Sequence, residues 1–140
     1  MRRNLGLVLV LLLSLTAAAC ATSTAEMPER EKVHLYMVPF DEVWTAAQRS
    51  LTDVKCLQVN TDKAGGSIQA KCVRSKAGAA FGEAPFGLYI AISQDGQRVR
   101  VEANAEYLHP AAMAGGTQSR DLVLRFLRAV DARLGVITVR

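Results

Sequence analysis

The segment at residues 86–107, "FGLYIAISQDGQRVRVEANAEY", constrains the fold more than any other part of the chain. It contains two runs in which apolar and polar residues alternate, and Asp95-Gly96 separates them. Alternation with a period of two places the apolar side chains on one face of a strand, and Asp-Gly between such runs is typical of a tight hairpin turn. A turn centred on Asp95-Gly96 pairs Gln94 with Gln97. The cross-strand pairs that follow are all apolar: Ile92 with Val99, Ile90 with Val101, Leu88 with Ala103, and Phe86 with Ala105.

The other face of this hairpin is mostly polar. It carries Ser93, Ala91 and Tyr89 from the first strand against Arg98, Arg100 and Glu102 from the second. The sequence therefore predicts an antiparallel sheet with one buried side and one side open to solvent.

Apolar residues with helical spacing occur before and after this hairpin. In "PFDEVWTAAQRSLTDV" the spacing of three and four residues predicts one apolar helix face, with Asp41 and Glu42 in the favourable first turn. That face contains Phe40, Val43, Ala47, Leu51 and Val54. Trp44 flanks it, and we interpret Trp44 as an aromatic residue of the core or its margin.

A second helix is predicted from about Ser119 to Leu134, with Ser119 as the N-cap and Gly135 as the stop signal. Its apolar face contains Leu122, Phe126, Val130 and Leu134, and Val123 and Leu127 broaden it. Arg125, Arg128 and Asp131 lie mostly off this face, so we interpret them as a solvated surface, with a partner-binding strip as the alternative.

The remaining patterns complete an α+β fold. "VHLYMV" at residues 33–38 favours a first strand, and "CLQVNTDKAGGSIQAKC" at residues 56–72 favours a hairpin in which Leu57 and Val59 share one apolar face and Ile68 and Ala70 share another. "VITV" at residues 136–139 is a candidate short edge strand. The predicted order is β-α-β-β-β-β-α: an antiparallel sheet of four to five strands with two helices packed on one face.

The first hairpin contains a conflict about its register. Direct pairing about Ala64 places Cys56 opposite Cys72, where the two thiols could form a disulfide in an oxidising compartment. The same register places Leu57 opposite Lys71 and therefore mixes apolar and polar faces. A shift of one residue restores the apolar face but separates the cysteines. The sequence leaves both outcomes open: a Cys56–Cys72 disulfide, or two separate thiols.

The N-terminus has the layout of a bacterial signal peptide. Arg2 and Arg3 precede an apolar run at residues 5–15, which is too short to span a bilayer, and small residues follow. "AAAC" at residues 17–20 resembles a lipobox, in which the Cys20 thiol receives a diacylglyceryl group and, after cleavage, further fatty acyl chains such as palmitate. Ordinary signal peptidase cleavage after Ala19 is the alternative. Because the chain has three cysteines, lipidation of Cys20 would leave an even pair.

The lipidation hypothesis sets the domain plan and the location. Residues 1–19 form a lipoprotein signal peptide, residues 20–32 form the lipidated cysteine and a flexible tether, and residues 33–140 form a single domain. The residue after Cys20 is alanine, not the aspartate associated with inner-membrane retention. This resemblance to lipoproteins implies an anchor in the outer membrane of the cell envelope, at its periplasmic face.

Charge and motifs argue against nucleic-acid binding and catalysis. The formal charge of +4 falls to +2 without Arg2 and Arg3, and the basic residues form no run. His34 and His109 have no companion at metal-ligand spacing, so we expect structural or surface roles for them. Gly115-Gly116 could cradle an anion at a helix N-terminus, although a plain loop is the simpler interpretation. We expect no catalytic, cofactor-binding or metal-binding residues.

The helix-hairpin segment resembles a known group of proteins. "FDEVWTAAQRSL", "LQVNTD" and "GSIQAK", within residues 33–73, look like the repeated unit of small bacterial outer-membrane lipoproteins of the BamC type from the barrel-assembly machinery. The resemblance implies a non-catalytic α+β domain that works by contact with another envelope protein. The alternative function is binding of a small hydrophobic ligand, such as a lipid, in a cavity between the sheet and the helices.

Overall fold

The computed structural model describes Thr24 and residues 27–73, 86–108 and 115–135. Cys20, the predicted signal peptide, His109 and the candidate strand at residues 136–139 lie outside these residues. The described elements are, in chain order, α1 (Glu29–Lys32), β1 (Val33–Tyr36), α2 (Phe40–Asp53), β2 (Cys56–Asp62), β3 (Ser67–Cys72), β4 (Phe86–Asp95), β5 (Arg98–Tyr107) and α3 (Gly115–Leu134).

The five strands form one antiparallel sheet in the order β1-β5-β4-β3-β2. The predicted α+β class and the five-stranded sheet are confirmed, and the short helix α1 adds an element before β1. Helices α2 and α3 bury their apolar faces with one face of the sheet. The largest fully buried side chains of this core include Tyr36, Val43, Ile68, Leu88, Val99, Val101, Phe126 and Leu127.

The β4–β5 hairpin forms on the predicted faces but in a different register. Asp95 pairs with Arg98, so Gly96 and Gln97 are the central turn residues, and Ile92 faces Val101 where Val99 was predicted. Gly96 has φ +61°, whereas Gln97 has no positive φ. This combination fits a type II′ turn, which needs glycine at its first central position only. Because every partner moves by two residues, each side chain stays on its predicted face.

The β2–β3 hairpin keeps the direct cysteine register and corrects the predicted faces. Cys56 lies opposite Cys72 and Leu57 opposite Lys71, and a β-bulge at Val59 shifts the pairing before Asn60. Leu57 and Val59, which were predicted to share one apolar face, are 78% and 58% exposed. Since side chains alternate along a strand, placing Cys56 in the core directs Leu57 to the open face.

The two long helices agree with the sequence pattern except at the start of α3. Helix α2 buries Val43, Ala47 and Leu51 of the predicted stripe, whereas Phe40 is partly buried and Val54 is buried just after the helix ends. Trp44 is a core residue with 5% exposure. Helix α3 begins at Gly115, four residues before the predicted start, and Ser119 lies fully buried inside it and is not its N-cap. The helix therefore includes this Gly-Gly-Thr stretch despite its weak helix propensity.

The end of the sheet away from the tight turns is called the rim below. It comprises Lys55–Cys56, Lys71–Val73, Phe86–Gly87 and Tyr107–Leu108. At the opposite end lie the β2–β3 turn with Gly66 and the β4–β5 turn with Gly96, both at positive φ. The backbone N–H of Ile92 donates to the Gly66 carbonyl oxygen at 2.7 Å, so the first turn is tied directly to β4.

Candidate functional site

The sheet face opposite the helices divides into two halves. The half formed by β1 and β5 is occupied by a network of charged side chains. Arg100 contacts Glu102 at 2.7 Å and Glu29 at 2.9 Å, and the Asn104 amide donates to Glu102 at 3.1 Å. The pKa of Glu102 lies below its usual value, chiefly because of the hydrogen bond from Asn104 and secondly because of the hydrogen bond from Arg100. These side chains satisfy one another, and Leu35, opposite Arg100, is the large apolar side chain exposed among the described residues of this half.

The half formed by β2, β3 and β4 carries exposed apolar and aromatic groups. We call this surface the open patch, and define it as Leu57, Val59, Gln69 and Tyr89. Gln69 lies opposite Tyr89 in the sheet, and Val59 lies at the bulge beside the Asn60–Gln69 pair. Tyr89 is 39% exposed, and no described element covers these side chains. The surface therefore offers aliphatic contact, one aromatic ring and one amide within a single plane.

Tyr89 has a fixed orientation in the open patch. Its hydroxyl donates to Glu106 Oε1 at 2.7 Å, and this bond is the first cause of its raised pKa. The ring lies over Gly87, where an added Cβ would come within 3.0 Å of two Tyr89 atoms. Glycine at residue 87 thus makes room for the ring to lie flat against the sheet. A ring held in this way loses little entropy when a partner covers it.

A buried polar cluster joins β1 to α3. The Tyr36 hydroxyl donates to Asp131 Oδ1 at 2.8 Å, and His34 Nδ1 lies 3.0 Å from the same oxygen. Burial and the Asp131 carboxylate raise the pKa of Tyr36. Asp131 is only 8% exposed, so its predicted place on a solvated helix face is wrong. Its carboxylate tolerates burial because two side chains of β1 bind it.

The sequence offered a partial signal for this cluster. Asp131 follows Val130 of the apolar stripe directly, and His34 and Tyr36 alternate onto one face of the first strand. What the sequence could not provide was the crossing of α3 over β1, which brings residues separated by 95 positions within hydrogen-bond distance.

The two cysteines of the first hairpin form a disulfide at the rim. The Cα atoms of Cys56 and Cys72 lie 4.0 Å apart, and both side chains are buried. The bond joins the edge strand β2 to β3, one pair away from Leu57 of the open patch. It therefore holds the edge of the open patch in register.

Two concave regions accompany these features. A cavity of about 200 Å³ opens near the rim between the sheet and α3, with Val73, Phe86 and Leu122 among its lining residues and the Asp121–Arg125 ion pair beside it. A wider groove of about 560 Å³ lies between α2 and the end of α3, lined by Asp41, Glu42, Thr45, Ala46, Arg49, Arg133 and Leu134. The groove has charges of both signs and opens broadly to solvent.

The two other site candidates from the sequence, His34 and Gly115-Gly116, lie within secondary structure. His34 lies in the buried cluster, and Gly115-Gly116 form the first residues of α3 instead of a loop ahead of it. Within the described ranges, no three metal-ligating side chains lie together. Across the same ranges, no helix has both the length and the apolar character needed to cross a membrane.

Comparison with known proteins places this domain in no family. No protein-family model matches the chain, and the comparison with curated proteins found no match. The open patch was not identified from the sequence, which placed Leu57 and Val59 on one apolar face of the hairpin. The glycine at residue 87, two positions before Tyr89 on the same strand face, is the one sequence signal that could have indicated it.

Proposed function

We propose that this protein is a lipid-anchored, non-catalytic interaction module of the bacterial cell envelope. In this proposal Cys20 carries the lipid at the periplasmic face of the outer membrane, and the folded domain contacts another envelope protein through the open patch. The resemblance of residues 33–73 to BamC-type lipoproteins is consistent with this role and remains part of the proposal.

The observation that carries the proposal is the exposure of the open patch. Leu57 is 78% exposed and Val59 58% exposed on a strand that is covalently held to its neighbour. Tyrosine is enriched at interface centres, where a few residues contribute most of the binding energy. In this proposal Tyr89 is such a residue, and Leu57 and Val59 add apolar contact two strands away. The charged network in the other half of the face would form the polar border of such an interface.

The test is crosslinking in membranes of the native host, followed by purification of the lipoprotein with its partner. The variant Leu57→Gln/Val59→Gln should lose most of the crosslinked partner, because it replaces both aliphatic contacts with amides. Met37→Gln is the matched control, since Met37 is 71% exposed but lies outside the open patch. Equal recovery of the partner with both variants would refute the open patch as the binding surface.

The rim cavity favours one alternative function, the binding of a small hydrophobic ligand. Phe86, Leu122 and Val73 provide apolar walls, and the cavity lies between sheet and helix as a carrier site would. Its volume of about 200 Å³ lies below the range of roughly 300–1,000 Å³ typical of ligand pockets. A ligand that binds only the folded protein raises its melting temperature. Titration with short fatty acids should raise Tm if this function holds, and Leu122→Trp, which fills the cavity, should abolish the rise.

A further inference from the structure

The described N-terminal residues are bound to the domain, although the sequence predicted a flexible tether there. The Thr24 N–H donates to the Ala105 carbonyl oxygen at 2.9 Å, and the Ala105 N–H donates to Thr24 Oγ1 at 2.7 Å. Thr24 is 2% exposed. The Met27 N–H donates to the Thr24 carbonyl oxygen at 3.0 Å, which continues the attachment toward α1.

The position of Thr24 gives this segment a direction. Strand β1 pairs with β5 only from Val99 to Glu102. Beyond Glu102, β1 does not cover this edge of β5. Thr24 occupies that edge at Ala105, three residues closer to the rim. The chain therefore runs from Val33 toward the rim as it is followed back to Thr24.

Ion pairs of α1 bind the N-terminal segment both to the sheet and to helix α3. Glu29 contacts Arg100 on the open sheet face at 2.9 Å, and Glu31 contacts Arg120 of α3 at 2.7 Å. One short helix is thus bound to the sheet on one side and to a helix on the other. This arrangement limits rotation of the domain about the N-terminal segment.

Few residues separate Thr24 from the proposed lipid anchor at Cys20. Cys20 precedes Thr24 by four residues, and four fully extended residues span at most about 14 Å. A free tether from residue 20 to residue 32 would instead reach about 40 Å. An acyl group on Cys20 would consequently hold the edge of β5 at Ala105 close to the lipid headgroups.

We propose that the rim faces an anionic lipid surface, with Lys55, Lys71 and Leu108 at the contact, while the turns at Gly66 and Gly96 point away from the bilayer. This inference rests on the proposed lipidation of Cys20 and extends it to the orientation of the whole domain.

The chemistry of the rim fits this occupant. Lys55 and Lys71 are exposed and form no ion pair with a described carboxylate, and Leu108 is 39% exposed. Lysines near a membrane surface attract anionic headgroups, and exposed leucine favours the interfacial region. Glu106, a carboxylate of β5 near the rim, accepts a hydrogen bond from the Tyr89 hydroxyl. With the rim on the bilayer, the open patch would stand beside the membrane and would contact a partner located at the same membrane surface.

The orientation can be measured by fluorescence quenching of the acylated, full-length protein in vesicles of phosphatidylethanolamine and brominated phosphatidylglycerol. Leu108→Trp places a reporter at the rim, and Gln97→Trp places one in the turn at the other end of β5, about 30 Å away for ten strand residues. The native Trp44 is buried and provides the baseline. We expect loss and blue shift of the added emission for Leu108→Trp, and unquenched added emission for Gln97→Trp.

A second pair of variants tests the attachment that sets this orientation. Thr24→Val in the Leu108→Trp background removes the Oγ1 acceptor and should reduce the quenching. Thr52→Val, at an exposed position of α2, is the control and should leave the quenching unchanged. Unchanged quenching with Thr24→Val would overturn the role of this attachment.

Mass spectrometry of the same preparation separates the two levels of failure. Suppose that Cys20 is acylated. If the two reporters are then quenched equally, or if Leu108→Trp is not quenched, the proposed orientation is wrong and the lipid anchor is unaffected. If Cys20 carries no lipid, the anchor is wrong and the orientation falls with it.

Discussion

Removing the covalent link between Cys56 and Cys72 should destabilise the domain by about 3 kcal/mol. The two cysteines are separated by 16 positions, and the chain-entropy relation assigns roughly this stabilisation to a closed loop of that size. For a domain of this length the change corresponds to a melting temperature lower by about 12 °C. The loss should concentrate in β2, because this edge strand pairs only with β3.

The assay is urea unfolding of the oxidised protein, the protein reduced with dithiothreitol, and the variant Cys56→Ala/Cys72→Ala. Reduction should lower the free energy of unfolding of the native sequence. The free energy of unfolding of the double variant should not change on reduction, so this variant is the control for other effects of the reductant. Hydrogen exchange should show faster opening of β2 than of β4. A loss below about 1 kcal/mol on reduction would refute the reasoning, since it would mean that the bulged register holds without the crosslink.

Three further changes test the packing of the fold. Gly66→Ala should destabilise the domain more than Gly96→Ala in thermal unfolding. Both glycines have positive φ, which costs alanine about 1–2 kcal/mol. Of the two, only a Cβ at residue 66 would collide with a β4 carbonyl oxygen, that of Ile92. Asp131→Ala should cost about 2–3 kcal/mol in urea unfolding, because the buried Tyr36 hydroxyl loses its charged acceptor and keeps only the longer contact with His34 Nδ1 at 3.4 Å. Adding Tyr36→Phe should recover part of that loss, and no recovery would contradict the bond between Tyr36 and Asp131. The pKa of Glu102 is lowered in the folded state, so its stabilisation is present above the unfolded pKa near 4.5 and is lost as the pH falls through the folded pKa. Glu102→Gln should therefore make stability less sensitive to acid below about pH 4.5, and an unchanged acid transition would count against the network around this carboxylate.

The buried faces of several elements could be predicted from local spacing alone. The alternation in residues 86–107 identified the buried face of β4 and β5, and the spacing of three and four residues identified that of α2. These predictions succeed because a side chain's direction within one strand or helix depends only on the backbone repeat. The exact cross-strand partners did not follow, because the turn at Gly96 selects the register from a small difference in local geometry.

The candidate site could not be predicted in the same way. Leu57 and Val59 have the alternation of a buried strand, yet the disulfide register and the bulge leave them exposed at the sheet edge. Asp131 has the helical position of a solvated residue, yet it is buried because β1 supplies two hydrogen-bonding partners. In both cases the deciding contacts come from another element.

The amino-acid sequence by itself determined the fold class, the main elements and the apolar faces of the longest of them. The tertiary structure alone decided which apolar residues remain uncovered, which carboxylate is buried, and where the N-terminal segment attaches. The physical reason is that burial depends on what packs against a residue, and packing partners here are separated by 16 to 97 positions in the chain.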